Sequence, residues 1–266
     1  MEYIKEIPAI KWKNGNYVKV LEQTVNDENI FLYIDDLEHR KFSTYPKDLK
    51  DFTIGYALAE GLIKSFEDVE SIQIKDKNIF LKTKYNHNLK KNSSTPHDNS
   101  EGQEHTYESI MSDSAGGWRS ELNNIEPVSS DLKVKASDII KNIQELKENA
   151  KIWQKTGGVH VAQLIYKDNV ILREDVSRHV AVDKVIGAAA RKGYDLTNSY
   201  ICYSGRIPAD MLIKFVRVKI PIVISNAAPA GSGYMIADKA NITMVGFVRD
   251  NRFNLYTAPE RVLLNE

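Results

Sequence analysis

Four short stretches gather the side chains best suited to chemistry. They are Arg173-Glu174-Asp175-Val176-Ser177-Arg178-His179; Ser204-Gly205-Arg206; Ser225-Asn226-Ala227-Ala228-Pro229-Ala230-Gly231-Ser232-Gly233; and Phe247-Val248-Arg249-Asp250-Asn251-Arg252. Three of the four carry arginine, whose planar guanidinium makes paired hydrogen bonds to phosphate. The third is built of small residues and leads into a helix, so backbone can approach a ligand and free N–H groups can face it. Together they point to an anionic, phosphate-bearing ligand. The alternative is ordinary arginines on a solvated surface.

Single residues add to this. His179 reads either as a general base, since imidazole titrates near neutrality, or as a cap on the helix that starts near Val180. Asp183, one turn on, orients that helix or bridges to a neighbour of Lys184. His160 follows Gly157-Gly158 inside a strand and reads as a structural histidine. Cys202 is the only cysteine. It sits in the apolar run Tyr200-Ile201-Cys202-Tyr203, which reads as packing, because reactive thiols are exposed and have lowered pKa values. One cysteine excludes an internal disulfide and any Cys-Cys zinc site, and it fits a reducing cytosol. His87 and His97 lack the spacing of a metal site, and no metal is expected.

The elements that must position these residues follow from periodicity. Residues 17–21 and 29–34 read as strands, and a helical pattern runs from Pro46 to about Gly61. Pro46 suits the first helical position, and Asp48 and Asp51 suit its positive end. Residues 69–74 and 79–83 read as a hairpin around Asp76-Lys77-Asn78. Residues 86–103 have almost nothing to bury, and 112–118 is a second polar, glycine-containing patch. Residues 138–152 form one amphipathic helix. From Gly157 the texture is α/β: strands at 159–166, 170–173, 200–204, 222–225 and 242–248 alternate with helices at 180–192, 208–219 and 231–240. That alternation predicts a three-layer sheet with parallel members, whose strand-end loops bind ligands.

Composition bounds the function. Of 266 residues, 42% are apolar and 27% charged, enough for one large domain or two small ones. Lys plus Arg and Asp plus Glu each number 36, so the net charge is zero, and whole-chain attraction to nucleic acid or anionic lipid is excluded. The N-terminus has an early acid and no apolar run, unlike a secretory signal. The uncharged stretch 220–237 is broken by Pro221, Pro229, Gly231 and Gly233, and reads as strand, loop and helix start. A soluble, cytoplasmic protein with no membrane and no nucleic-acid partner is expected.

The run Thr156-Gly157-Gly158-Val159-His160, then 173–187, then Ser204-Gly205-Arg206, 245–249 and 252–257, together resemble the FdhD family of formate dehydrogenase accessory sulfur carriers. The N-terminal stretches 46–52 and 60–63 resemble it too, so the likeness covers most of the chain outside about 86–107. It implies a fold: a cytidine-deaminase-like α/β domain over 126–266, with a smaller α+β domain over 1–125, in which composition places a mobile insertion at about 86–107 and a flexible loop at 112–118. It implies a job: to pass sulfur from a cysteine desulfurase to the molybdenum or tungsten bis(pyranopterin guanine dinucleotide) cofactor of formate dehydrogenase. It implies a homodimer, and it places the cofactor segment on Phe247, Val248, Arg249, Asp250, Asn251 and Arg252, with Arg206, Arg178 and His179 as further contacts.

The chain departs from the family at one place. The family's sulfur-carrying loop reads C-G-x-C-G, and the matching residues are Ser114-Ala115-Gly116-Gly117-Trp118. Ser114 occupies the position of the persulfide cysteine and Gly117 that of the second cysteine. A serine hydroxyl holds no persulfide and is a poor nucleophile without a base. Two readings follow: a sulfurtransferase that works without these cysteines, or a carrier that binds the cofactor and transfers no sulfur. The H-x-E and P-C-x-x-C zinc ligands of deaminases are absent.

Overall fold

The computed structural model describes residues 3–84 and 125–265. The expected insertion at 86–107, the 112–118 loop with Ser114 and Gly117, and the histidines His87 and His97 lie outside the described residues.

The chain begins with a ribbon, β1 (Ile4–Lys13) and β2 (Asn16–Val25), antiparallel over its whole length. Asn14 and Gly15 both have positive φ, as a type I′ turn requires. Among the described residues the ribbon pairs with no other strand. Next come β3 (Glu28–Ile34), β4 (Leu37–Thr44), β5 (Val69–Lys75) and β6 (Asn78–Thr83), in the order β4-β3-β6-β5. Alternation sends Ile30, Leu32, Ile34, Ile79 and Leu81 inward, and α1 (Leu49–Ala59) covers that face. Strands β1 and β4 escape the period argument: β1 is solvated on both faces and contains Pro8, and β4 has the polar run Glu38-His39-Arg40-Lys41 at its centre. Pro46 is not the first helical residue. The helix starts at Leu49, behind Asp48 in the left-handed region, and Asp48 and Asp51 are drawn to Arg173 instead of to free helix N–H groups.

The second part is a six-stranded sheet. Its strands are β8 (His160–Tyr166), β9 (Asn169–Asp175), β10 (Ser199–Tyr203), β11 (Ile222–Ser225), β12 (Thr243–Arg249) and β13 (Arg252–Thr257), in the order β13-β12-β11-β10-β8-β9. Strands β10, β11 and β12 are parallel, and the outer pairs are antiparallel. Ile201 and Tyr203 face the cluster that contains α4 (Arg178–Arg191), α5 (Ala209–Arg217) and α6 (Gly231–Lys239). Tyr200 and Cys202 face α2 (Ala136–Glu148) on the opposite side. This is the three-layer α/β architecture that the alternation predicts. A short parallel pair, β7 (Val134–Lys135) with β14 (Val262–Leu263), closes the α2 side.

The single helix expected at 138–152 is two. After α2 the chain breaks at Asn149 and Ala150, and α3 (Lys151–Thr156) follows. The second helix is started from outside: the Glu174 carboxylate accepts from the backbone N–H groups of Ile152 (3.1 Å) and Trp153 (2.7 Å). A cap supplied by a strand distant in sequence leaves no local signal.

The two parts share one hydrophobic cluster, which takes Phe52, Ile54 and Tyr56 from α1 and Val182, Val185 and Ile186 from α4. The helices meet backbone to backbone. A Cβ on Gly55 would lie 1.7 Å from the Asp183 carbonyl oxygen, and one on Gly187 would lie 1.9 Å from that of Asp51.

Candidate functional site

Strand directions bring the four stretches together. Strand β9 is antiparallel to β8, and β8 is antiparallel to β10, so β9 runs with β10, β11 and β12. All four end at one edge, where β8 begins at His160. The loops 173–179, 204–206, 225–233 and 247–252 therefore leave the sheet on the same side, where α/β sheets bind ligands.

Within 173–179 the residues divide by task. Arg173 holds the buried Asp51 through Nη2 (2.7 Å) and Nε (3.1 Å). Arg191 grips the other oxygen of Asp51. Glu174 caps α3. Asp175 accepts from the fully buried Lys184 (2.7 Å), from the Thr44 hydroxyl (2.5 Å), and from the backbone N–H groups of Tyr45 (3.1 Å) and Ser177 (2.9 Å). Burial pushes the Asp175 carboxyl above its ordinary range and the Lys184 ammonium below its own. Three of the charged residues are thus committed to the fold, and Arg178 and His179 are what remains.

Arg178 and His179 open α4. Arg178 Nε is buried without a partner, and one Nη lies 3.7 Å from Asp210. His179 Nε2 approaches Asp210 Oδ2 to 3.2 Å without the alignment of a hydrogen bond, and Nδ1 is also buried and unpartnered. Burial lowers the His179 pKa, which the Asp210 carboxylate only partly offsets. Asp210 is held below its ordinary value, because His179 and Arg178 outweigh the cost of its burial. Unpaired donors beside one carboxylate cost free energy unless a ligand satisfies them. His179 is the second residue of α4, and its side chain makes no cap hydrogen bond.

The neighbouring loops form a braced rim. His160 Nδ1–H donates to the Ser204 carbonyl at 2.7 Å, which fixes the ring. Gly205 has φ near +144°, and a Cβ there would press on Arg178 at 3.3 Å. Tyr203 donates to the Arg206 carbonyl (2.9 Å), and Ser225 donates to the Gly205 carbonyl (2.6 Å). Arg206 is exposed. The small residues of 225–233 serve backbone packing: a Cβ on Gly233 would meet the Ile207 carbonyl oxygen at 2.1 Å, and Phe247 N–H donates to the Ala227 carbonyl (3.1 Å).

At the other end of the rim, Phe247, Asp250 and Asn251 all have positive φ. Pairing of β12 with β13 shifts register between Gly246 and Arg249, so Phe247 sits in a bulge. A left-handed phenylalanine is costly backbone of the kind found at ligand sites. Its ring lies 5.5 Å from the Arg249 guanidinium, and Phe247, Arg249, Arg252 and Asn254 line a pocket of about 200 Å³. Val248 points the other way, into the core with α2, so it can offer a ligand only its backbone.

A second pocket, about 160 Å³, is one that sequence reasoning missed. Its walls include Arg40 on β4, Tyr56 and Glu60 on the α1 side, His179 and Asp183 on α4, and Lys214 on α5. Lys214 bridges both oxygens of Asp183 (3.0 Å each) and Glu60 (3.1 Å). Burial raises the Asp183 carboxyl to about 6 against the pull of Lys214. Burial works against the Lys214 ammonium, yet Asp183 and Glu60 together hold it above its ordinary value. The available signal was the run Val180-Ala181-Val182-Asp183-Lys184-Val185-Ile186-Gly187. A helix apolar on all sides is buried, so its Asp and Lys had to be buried and paired.

Cys202 is fully buried, and burial pushes its thiol far above the usual range. Among the described residues, no group of three His, Cys, Asp or Glu is placed to hold a metal, and no helix is long and apolar enough to cross a membrane.

Fold and site define a three-layer α/β protein with a cation-bearing rim at the ends of its parallel strands. The chain belongs to the FdhD/NarQ family, whose model matches residues 25–263. It is 43% identical over 264 residues to the sulfur carrier protein FdhD of Methanothermobacter thermautotrophicus, covering 99% of this chain and 100% of that protein. It is 32% identical over 257 residues to the sulfur carrier protein FdhD of Shouchella clausii, covering 96% of this chain and 95% of that one. A crystal structure of a candidate formate dehydrogenase accessory protein from Desulfotalea psychrophila superposes with a TM-score of 0.76 at 22% identity, covering 98% of this chain and all of that one.

Proposed function

We propose that this chain is an accessory protein of formate dehydrogenase maturation that holds a molybdenum or tungsten bis(pyranopterin guanine dinucleotide) as cargo. In this reading Arg178, His179 and Arg206 take one part of the anionic ligand, and Phe247, Arg249, Asp250, Asn251 and Arg252 take a guanine dinucleotide end. The observation that carries it is the set of buried, unpartnered donors at Arg178 and His179, on the same sheet edge as the strained Phe247 bulge.

Curated relatives are named sulfur carriers, but this chain's thiol inventory favours cargo binding over carriage of sulfur. Its one cysteine is buried, and in the family resemblance Ser114 falls at the position of the persulfide cysteine. Sulfur from a cysteine desulfurase would then reach the cofactor on a partner's thiol. Calorimetry with GDP on the wild type, Arg206→Ala and Arg252→Ala tests the ligand. Loss of a charge-assisted contact should weaken affinity roughly 10- to 150-fold. Unchanged affinity in both variants refutes the rim as the site. Intact-mass measurement after incubation with a cysteine desulfurase and cysteine tests the sulfur side. No stable gain of one sulfur is expected, and a gain abolished by Cys202→Ser would refute the cargo-only reading.

A further inference from the structure

The charged pocket beside Lys214 shares His179 with the rim, but what it can bind does not depend on the cargo proposed above. Its carboxylates are already engaged. Asp183 accepts from Lys214 through both oxygens (3.0 Å each), and Glu60 meets Lys214 on one oxygen (3.1 Å) and Arg217 on the other (3.4 Å). These two acids and two bases cancel. Arg40 on β4 is additional: among the described residues it makes no salt bridge, and its guanidinium lies over the Phe42 ring at 5.7 Å. Lys41 turns its ammonium over Phe31 instead (5.8 Å). The pocket therefore has a cation without a counter-charge, and no carboxylate is left over to hold a bound cation.

The facing wall is the start of α4, with Ser177, His179 and Val180 lining the pocket. Ser177 stands at the N-cap position, where a serine hydroxyl ordinarily accepts from the N–H groups of the first turn. Here its backbone N–H donates to Asp175 (2.9 Å), but its hydroxyl makes no cap hydrogen bond. The backbone N–H groups of Arg178, His179 and Val180 are left without an acceptor among the described residues. Both ring nitrogens of His179 are buried and unpartnered as well. Donors from the backbone, the serine and the imidazole thus converge on the side of the pocket opposite Arg40, at the positive end of a helix.

We propose that this pocket binds a tetrahedral oxyanion of the phosphate or sulfate kind. Arg40 holds it from one side, and the Ser177 hydroxyl, the His179 ring and the first-turn N–H groups of α4 hold it from the other. A helix start and a guanidinium are each suited to such an ion, the first by its free donors and the second by its paired ones. Size supports the choice. The pocket of about 160 Å³ is close to the cavity of about 150 Å³ that holds one benzene ring, so it takes roughly six heavy atoms. An oxyanion fits, and a nucleobase with its sugar does not. The ion is either free in solution or the phosphate group of a larger ligand that reaches in from the rim past His179. Because Arg40 belongs to the N-terminal part and α4 to the six-stranded sheet, the bound ion bridges the two.

Calorimetry of the full chain with sulfate and with inorganic phosphate tests this, with chloride holding the ionic strength constant. Both should bind, and Arg40→Gln should weaken them roughly 10- to 150-fold, the loss of one charge-assisted contact. Lys192→Gln, which removes the same charge at the far end of α4, should not. A measurement on the wild type needs no variant to fold: in NMR spectra the backbone amide signals of His179 and Val180 should move with sulfate and stay with chloride. GDP added to the phosphate-loaded chain separates the two sources. Displacement of phosphate assigns the pocket to a phosphate group of a larger ligand, simultaneous binding assigns it to a free oxyanion, and either upholds the site. Sulfate and phosphate that bind no better than chloride overturn the proposal. So does binding that Arg40→Gln leaves intact, or an amide response at residues 247–252 in place of 178–180. Oxyanion binding without GDP binding sinks the guanine dinucleotide reading alone, and GDP binding without oxyanion binding sinks this one alone.

Discussion

Replacing Gly55 with alanine should damage this protein more than almost any other loss or gain of one methyl group. The added Cβ would lie 1.7 Å from the Asp183 carbonyl oxygen and 2.7 Å from the Gly187 nitrogen. Ordinary contact begins at 3.4 Å, so α1 and α4 would have to separate by more than about 1.5 Å. Neither helix is free to move. Lys214 reaches Glu60, just beyond α1, at 3.1 Å and Asp183 on α4 at 3.0 Å. Arg191 on α4 grips Asp51 on α1. Opening the crossing by that distance breaks at least one arm of the buried Lys214 bridge between Glu60 and Asp183. Overpacking alone costs about 1–3 kcal/mol, and breaking a buried ion pair costs about 3–5 kcal/mol. The two overlap, so a loss of at least about 3 kcal/mol is expected. In urea this is a fall in midpoint of roughly 1 M or more for a slope near 3 kcal/mol per molar. Gly231→Ala is the control: a Cβ there has open space, and the residue lies in the first turn of α6, so stability should stay within about 0.5 kcal/mol or rise slightly. If Gly55→Ala costs less than about 1 kcal/mol, the helices are not pinned and the argument from close approach fails.

Two further outcomes follow from the buried charges. Lys214→Met leaves the buried Asp183 without its cation, while Glu60 keeps Arg217 at 3.4 Å, and should cost about 3–5 kcal/mol at neutral pH. Lys214 lowers the Asp183 pKa, so without it the carboxyl rises above its wild-type value of about 6; the folded variant then takes up a proton at a pH where the folded wild type does not, the deficit should shrink as pH falls toward 6, and Asp183→Asn should rescue it; a deficit constant from pH 8 to pH 6 would refute this. His179 has a lowered pKa, so below its ordinary 6.5 the unfolded chain takes a proton that the folded chain refuses. The wild type should therefore lose stability relative to His179→Gln as pH falls below 6.5, and parallel stability curves between pH 5 and pH 8 would refute it.

What could be read from the sequence tracks how locally each feature is determined. Strands β8, β10, β11 and β12 are short apolar runs closed by turn residues, and they stand where the runs do. Cys202 is interior, as its neighbours implied. The split of α2 from α3 was illegible because its cause, Glu174, lies on another strand. The ribbon was half legible: β2 has β-branched residues in alternation, but β1 has water on both faces and so no period to read. The rim was legible as a set of arginine loops because parallel strands must end together, whereas the charged pocket beside Lys214 joins residues from four separate segments.

The division of labour within 173–179 changes what a matching motif means. Arg173, Glu174 and Asp175 are as charged as Arg178 and His179, and from sequence all five compete as ligand contacts. In the fold the first three are consumed by Asp51, by the start of α3 and by Lys184. Each of those bonds crosses between segments, and two of them tie the N-terminal part to the six-stranded sheet, since Asp175 also holds Thr44 and Tyr45. A chain could lose its sulfur-carrying thiols and still be forced to keep these three residues, because losing one leaves an oxygen of buried Asp51, the buried Lys184 or the start of α3 without its partner. Most of this motif is therefore evidence of fold. The proposed ligand contact rests on Arg178 and His179, whose buried nitrogens have no hydrogen-bond partner beside the rim.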